Sequence, residues 1–348
     1  MAMTEMVNNI EADVLISAVV VTYGDRWTYL KVLLDHLEKE ARVSNVVVVD
    51  NASRKNILAA CRQAGFTKAV VLRQERNTGS AGGFSVGIEY TLSLKADYIM
   101  LFDDDTVPQA ETINKLLERL IDINSESGHR LNAVIPNRGS QILCLERILG
   151  KQNYWMLEES VFGLNVFNFF QRHLRRLFRK RRTIWNQPSL SSVTIDYGLA
   201  AYAGLMFHRS LCDRIGFPNQ SLVLYYDDIE YTNRILSAGG KIWVCTDMGM
   251  DDLVDNYSAA MMNRPFLGLI LADHDGKVYY QVRNQLYFEY NYVARYKAAF
   301  LANAFLYSAI SFVISVVFMR LTRAKVIQTA IYHGIKGNLG VNENYKLA

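Results

Sequence analysis

The chain has 348 residues, 50% of them hydrophobic and 21% charged, with a formal net charge of +4. This composition is globular with a lipophilic bias, so it excludes a chain too polar to bury a core; so small a net charge gives no bulk signal for nucleic acid. Four cysteines, Cys61, Cys144, Cys212 and Cys245, stand far apart with no CxxC, which reads as buried free thiols in a reducing compartment.

The length suggests two compact units or one domain with an appendage. Near the N-terminus, Glu5, Glu11 and Asp13 replace the basic region and apolar stretch of a signal peptide, so a cytoplasmic protein is expected. From Val14 to Val21 the run is nearly uninterrupted and apolar, as expected for a strand covered on both faces, and Thr22, Tyr23, Gly24, Asp25 and Arg26 break it. Leu30, Leu33, Leu34 and Leu37 recur at helical spacing. A second strand, Val46 to Val49, ends at Asp50-Asn51-Ala52-Ser53. A short helix is expected over Ile57 to Ala64 and a third strand over Ala69 to Leu72. The loop Arg76-Asn77-Thr78-Gly79-Ser80-Ala81-Gly82-Gly83 follows, then a helix carrying Phe84, Ile88 and Leu92 on one side.

That helix leads to Tyr98-Ile99-Met100-Leu101-Phe102, a buried strand that ends in Asp103, Asp104 and Asp105. The alternation implies a parallel sheet with right-handed crossovers, and ligands of such sheets bind beyond the carboxyl ends of the strands. Adjacent carboxylates repel one another and resist desolvation, costs that a divalent cation with oxygen ligands offsets; the alternative is a solvated acidic turn capping a helix that starts near Val107. Gly79, Gly82 and Gly83 would let backbone approach a phosphate at a helix N-terminus, or would simply form a tight turn. Asp50 would accept bonds from a nucleoside's base or ribose, or close an Asx turn.

Val134-Ile135-Pro136 is a further strand candidate. From about Ser140 to Ser192 the pattern is lost, in a segment where Tyr154, Trp155, Phe162, Phe167, Phe169 and Phe170 precede a basic run from Arg172 to Arg182. Such a segment suits an anionic membrane surface or a lipid-linked pyrophosphate; nucleic acid or a solvated helix face are the competing readings. Beyond it, Tyr225-Tyr226-Asp227-Asp228-Ile229-Glu230-Tyr231 places Asp227 and Glu230 on one face of a helix start. Ala298 to Met319 is free of charge and long enough to span a bilayer, but Asn303, Ser308, Ser311 and Ser315 interrupt it. A helix lying in the inner leaflet is therefore preferred to a spanning one.

The ordered series Val20-Val21-Thr22-Tyr23, Val49-Asp50-Asn51-Ala52-Ser53, Asn77-Thr78-Gly79-Ser80-Ala81-Gly82-Gly83-Phe84 and Asp103-Asp104-Asp105 resembles the inverting glycosyltransferases of family 2. The glycine segment followed by three aspartates most resembles the branch holding bacterial galactofuranosyltransferases and rhamnosyltransferases. This resemblance implies a GT-A fold over residues 1–275, with the patternless segment as an insertion, and a helical, membrane-associated region over 276–348. It implies a nucleotide-sugar donor, UDP-galactofuranose ahead of dTDP-rhamnose, with Mn²⁺ or Mg²⁺, and a polyprenyl-diphosphate-linked glycan as acceptor.

Donor contacts are implied at Thr22, Tyr23, Asp50, Asn51, Arg76, Asn77, Gly82, Gly83, Asp103 and Asp104. By the same resemblance Asp228 is the base, Asp227 and Glu230 orient acceptor or base, and Asp103 and Asp105 hold the metal. The histidine ligand often found after the strand at Lys241 to Cys245 is missing here; Asp251, Asp247 or water would replace it. Arg283 in Tyr279-Tyr280-Gln281-Val282-Arg283-Asn284 would meet a phosphate or form a structural ion pair. The expected location is peripheral or monotopic at the cytoplasmic face of the inner membrane, with an anionic membrane surface as partner, no nucleic acid, and room for a homo-oligomer. A nucleotidyltransferase would want a basic, glycine-rich loop near the N-terminus that Thr22 to Arg26 does not supply; a non-catalytic nucleotide-sugar binding module is the other rival.

Overall fold

The computed structural model describes residues 14–138, 159–166, 194–196 as backbone, 199–254 and 266–347. Cys144 and the basic run Arg172 to Arg182, with most of the aromatics before it, lie outside the described residues. In chain order the elements are β1 (Ile16–Thr22), α1 (Trp27–Lys39), β2 (Val43–Asp50), α2 (Ile57–Ala64), β3 (Ala69–Arg73), α3 (Gly79–Thr91), β4 (Tyr98–Asp103), β5 (Thr106–Pro108), α4 (Thr112–Ser127) and β6 (Ala133–Arg138). Then follow β7 (Thr194–Asp196), β8 (Met206–His208), α5 (Leu211–Ile215), α6 (Asp227–Ser237), β9 (Ile242–Asp252), α7 (Leu267–Leu271), α8 (Asp275–Phe288), α9 (Lys297–Val317) and α10 (Leu321–Lys336).

Among the described residues one sheet runs β3-β2-β1-β4-β8-β6-β9-β5, with β7 paired to β9. Strand β1 pairs in parallel with β2 and β4, and β2 with β3, as the apolar runs predict. Every residue of β1 is buried because α1 covers one face with Leu30, Leu33, Leu34 and Leu37 while α3 covers the other. Gly83 and Gly87, one helical turn apart on α3, sit so close to β1 that a Cβ would come within 2.6 Å of Val21 and 2.4 Å of Val19. These glycines set how near helix and sheet can pack.

Strand β8 is antiparallel to both β4 and β6, so β4 and β6 run the same way, and β9 is parallel to β6. The carboxyl ends of β1, β2, β4, β6 and β9 therefore share one edge, which collects Thr22, Asp50, Asp103, Arg138 and Asp252. Two local expectations change. The residues at Val107 form β5, paired antiparallel to β9, and the next helix begins only at Thr112. Strand β9 runs past Cys245 to Asp252, because β5 and β6 give its second half partners on both sides.

Contacts divide the chain into two compact units, one of Met1–Gln141, Ser191–Val223 and Asp227–Asp255, the other of Ile142–Leu190, Leu224–Tyr226 and Asn256–Ala348. The division falls after Asp255, earlier than the 275/276 boundary expected from the sequence. Within the second unit, Arg283 is buried between the Tyr279 and Tyr280 rings and donates to Gly340 O at 2.6 Å, so it holds the C-terminal tail, leaving the phosphate reading without support. Helix α9 is one long apolar helix. Asn303, Ser311 and Ser315 are buried, while Phe305, Phe312, Val313, Val316 and Val317 are exposed. Asn303 accepts from Val166 N–H and donates to Glu159 O, which satisfies its amide inside the unit.

Candidate active site

The site is assembled from the shared strand edge. At the end of β1, Thr22 Oγ1 donates to Asp104 Oδ2 at 2.7 Å, and Arg26 Nε donates to Asp104 Oδ1 at 2.8 Å. Arg26 Nη2 reaches Asp105 at 2.5 Å, and its guanidinium lies beside the rings of Tyr23 and Tyr29. Asp104 is 3% exposed, and burial pushes its carboxyl up to about 7 against the pull of Arg26 and Thr22. With both oxygens engaged, Asp104 ties β1 to β4; the structure does not leave it open as the donor contact expected from the sequence.

Asp103 and Asp105 stand on either side of this buried residue. Burial pushes Asp103 up to about 6, with the charges of Asp105 and Asp252 adding and those of Arg138 and Arg26 opposing. Asp252, at the end of β9, forms an ion pair with Arg138 at the end of β6. Asp251 turns the other way, exposed and accepting from Gln109 Nε2 at 2.9 Å. Successive residues of a strand face opposite sides, so only one of the tandem aspartates can join Asp103. It is Asp252 whose charge acts on Asp103, while Asp251, expected as a metal ligand, is bonded to Gln109 on the other side; Asp247 is also exposed.

The second acidic group comes from α6, whose first turn contains Asp227, Asp228 and Glu230. Burial pushes Asp228 up to about 6; Asp103 adds to this, the Ile229 N–H, which donates to Oδ1 at 2.8 Å, lowers it, and Arg138 opposes it. Asp103 and Asp228 thus feel each other directly, and both keep part of their surface open. The two acidic clusters are near enough for charge to couple them. Asp227 is 1% exposed and its carboxyl is raised well above the usual range, by burial first and then by Asp228, with Ser80 and Tyr202 close by and opposing. The two neighbouring acids are thereby pushed unequally, Asp227 further than Asp228. Glu230 instead pairs with Arg234 at 3.1 Å, and Arg234 donates to Ile215 O and Phe217 O, so Glu230 anchors α6.

The donor-side residues are largely occupied with one another. Asp50 is buried, accepts from Ser53 N–H at 2.8 Å and pairs with Arg73 at 2.5 Å, which closes the Asx turn. Asn51 accepts from Thr78 N–H and donates to Asn77 Oδ1 and Gly79 O, stapling β2 to the start of α3. Gly79 to Gly83 belong to α3, whose start lies at Gly79, so they are not a loop. Gly79 has φ +74° and a Cβ there would lie 1.9 Å from Val223 O, while a Cβ at Gly82 would meet Thr78. The N–H groups of Gly79 and Ala81 already bond to Asn77 Oδ1 and Val223 O, which removes two donors from the phosphate reading of this turn. Arg76 is exposed.

Asp103 and Asp105 have the hard oxygen donors that Mg²⁺ or Mn²⁺ prefers, and the carboxyl of Asp103, raised first by burial and further by Asp105 and Asp252, is one whose ionised form such a cation would favour. Among the described residues no three His, Cys, Asp or Glu side chains gather closely enough to form a protein cage. The donor set therefore fits a cation held by one or two carboxylates together with substrate phosphates and water, as is usual for Mg²⁺. Sequence reasoning missed Arg26, Arg138, Asp252, Ser80 and Tyr202. The available signal was the one used for Asp50 and Asp103, a polar residue ending an apolar strand; it applies equally to Arg138.

Residues 17–137 match the family model described as "Glycosyl transferase family 2". The dTDP-rhamnosyl transferase RfbF of Shigella flexneri is 26% identical over 270 residues, covering 77% of this chain and 78% of that protein. The galactofuranosyltransferase GlfT1 of Mycolicibacterium smegmatis is 27% identical over 232 residues, covering 66% and 68%. Among solved structures, a mannosyltransferase from Pyrobaculum calidifontis in complex with GDP-Man and Mn²⁺ overlaps 92% of this chain and 86% of its own at 13% identity and a TM-score of 0.47.

Proposed function

We propose that this chain, a family 2 inverting glycosyltransferase of GT-A fold using a nucleotide-sugar donor, transfers galactofuranose from UDP-galactofuranose to a polyprenyl-diphosphate-linked glycan. The observation that carries the reading is the electrostatic coupling of Asp228, at the start of α6, to Asp103 at the strand edge, with the carboxyl of Asp227 raised beside the base. In the proposed step the acceptor oxygen attacks the anomeric carbon from the face opposite the diphosphate, and its proton passes to Asp228. The bond from the anomeric carbon to the diphosphate oxygen breaks, and its electron pair leaves with the nucleoside diphosphate. Asp103 and Asp105 would hold the divalent cation, which supplies positive charge where the leaving group becomes more negative. Asp227, buried close to Ser80 and Tyr202, fixes the start of α6 so that Asp228 is presented in one orientation.

The preference for galactofuranose rests on the relative named for that sugar; the dTDP-rhamnosyl transferase at similar identity supports dTDP-rhamnose as the second reading. The inside-out pattern of α9 supports peripheral or monotopic association with a membrane, its apolar side in lipid and its polar side against its own unit. Mass spectrometry of transfer from both donors, with lipid-linked acceptors, tests the reading. Asp228→Asn is expected to abolish transfer while leaving donor binding largely intact. Full transfer by that variant refutes the assignment of the base, and binding of nucleotide sugar without any turnover returns the chain to a binding module.

A further inference from the structure

The cations at the strand edge are used differently. Arg26 commits Nε to Asp104 and Nη2 to Asp105 and is stacked beside two tyrosines. Arg138, at the end of β6, is only 5% exposed; its Nη2 pairs with Asp252, and its Nε–H is buried with no hydrogen-bond partner among the described residues. A buried N–H of a charged group without an acceptor is costly, and native proteins keep few of them outside functional sites. Arg138 is also the largest favourable charge acting on Asp103, and it acts on Asp228. Its charge therefore acts on both acids between which, on the glycosyltransferase reading that this inference rests upon, the sugar diphosphate must lie.

A guanidinium suits that ligand. It stays protonated, its planar fork matches phosphate oxygens, and it is less strongly hydrated than an ammonium, so burial costs it less. We infer that Arg138 binds the diphosphate of the nucleotide sugar through Nε and stabilises the charge that collects on the departing nucleoside diphosphate. It neither gives nor takes a proton: the acceptor proton goes to Asp228 and the bonding pair to the diphosphate oxygen. The pairing with Asp252 holds the guanidinium in place, so the ligand meets a donor already oriented rather than one recruited from solvent.

Calorimetric titration of the full chain tests this with UDP, dTDP, GDP, uridine, thymidine, guanosine and inorganic pyrophosphate, each in Mn²⁺ and in EDTA. Arg138→Met is expected to weaken pyrophosphate and the preferred diphosphate ten- to a hundredfold while leaving the matching nucleoside unchanged. Arg138→Lys, which keeps the charge and loses the fork, is expected to fall between them, and in turnover kcat should drop more than KM rises. If Arg138→Met does not fold, Arg138→Lys decides: at least threefold weaker pyrophosphate binding upholds the inference, and wild-type affinity overturns it. Wild-type diphosphate affinity in folded Arg138→Met overturns the inference and leaves the glycosyltransferase reading standing. Failure of the wild-type chain to bind any of the diphosphates overturns both.

Discussion

Replacing Arg26 by Met keeps most of the side chain's volume and removes the cation that faces Asp104, a carboxyl that burial already holds at about 7. A carboxyl whose folded pKa lies above its unfolded value holds a proton in the folded state that the unfolded chain has released. Stability therefore falls as pH rises toward the folded pKa, at about 1.4 kcal/mol per pH unit for one proton, and levels off above it. In the wild type this fall ends near pH 7. Without Arg26 the folded pKa rises further and the fall continues. Below pH 7 Asp104 is protonated in both proteins, and the variant should lose only about 1 kcal/mol for the missing hydrogen bonds. Above pH 7 the gap should widen by about 1.4 kcal/mol per unit, reaching roughly 3 kcal/mol at pH 8.5. Urea denaturation at pH 6, 7, 8 and 8.5 in EDTA measures it, and adding Asp104→Asn should abolish the widening. A gap of constant size across that range would show that Arg26 does not neutralise a buried Asp104.

With Asp228 raised to about 6, kcat/KM for transfer is expected to climb about tenfold per pH unit below pH 6 and to flatten above it, as the ionised base becomes fully populated; a pH–rate profile flat down to pH 5 would remove Asp228 as the base. Gly79→Ala forces a side chain into a left-handed conformation and against the Val223 carbonyl, so a loss of roughly 2–3 kcal/mol is expected by thermal or urea unfolding; an unchanged midpoint would mean that α3 and the Val223 segment are not in contact. Phe305→Asp with Val316→Asp, both on the exposed side of α9, should release the chain from anionic vesicles in a flotation assay without lowering its melting temperature; undiminished flotation would place the lipid contact elsewhere.

What could be read before folding follows from the range of the interactions involved. Val14 to Val21 and Tyr98 to Phe102 announce themselves because a strand covered on both faces has no polar position, and the polar residues ending them mark the working edge of the sheet. Asp251 and Asp252 could not be told apart, since which of two successive residues faces Asp103 depends on the pairing of β9 with β5 and β6. Arg26 and Arg138 choose partners 78 and 114 residues away, a choice that no local pattern encodes. Gly82 and Gly83 carried a local signal that pointed to a turn at phosphate, whereas their lack of a side chain serves the approach of α3 to Thr78 and to β1.

The contacts around Val223 explain why the donor side and the base of this site would act as one body. Val223 has φ +69°, a strained value for a β-branched residue, and its carbonyl accepts the Ala81 N–H in the first turn of α3. Four residues further on, Asp227 meets Ser80 of that same turn. Each contact spans only the start of a helix, but together they fix the N-terminus of α3 against the N-terminus of α6. Moving Asp228 relative to the strand edge would then break the Ala81 bond, expose the buried Asp227 and release the strain at Val223 in a single step. The strain is tolerable because Gly79 leaves room for the carbonyl, so the glycine that reads as phosphate-binding is better understood as the residue that allows α3 and the base-bearing segment to close on each other.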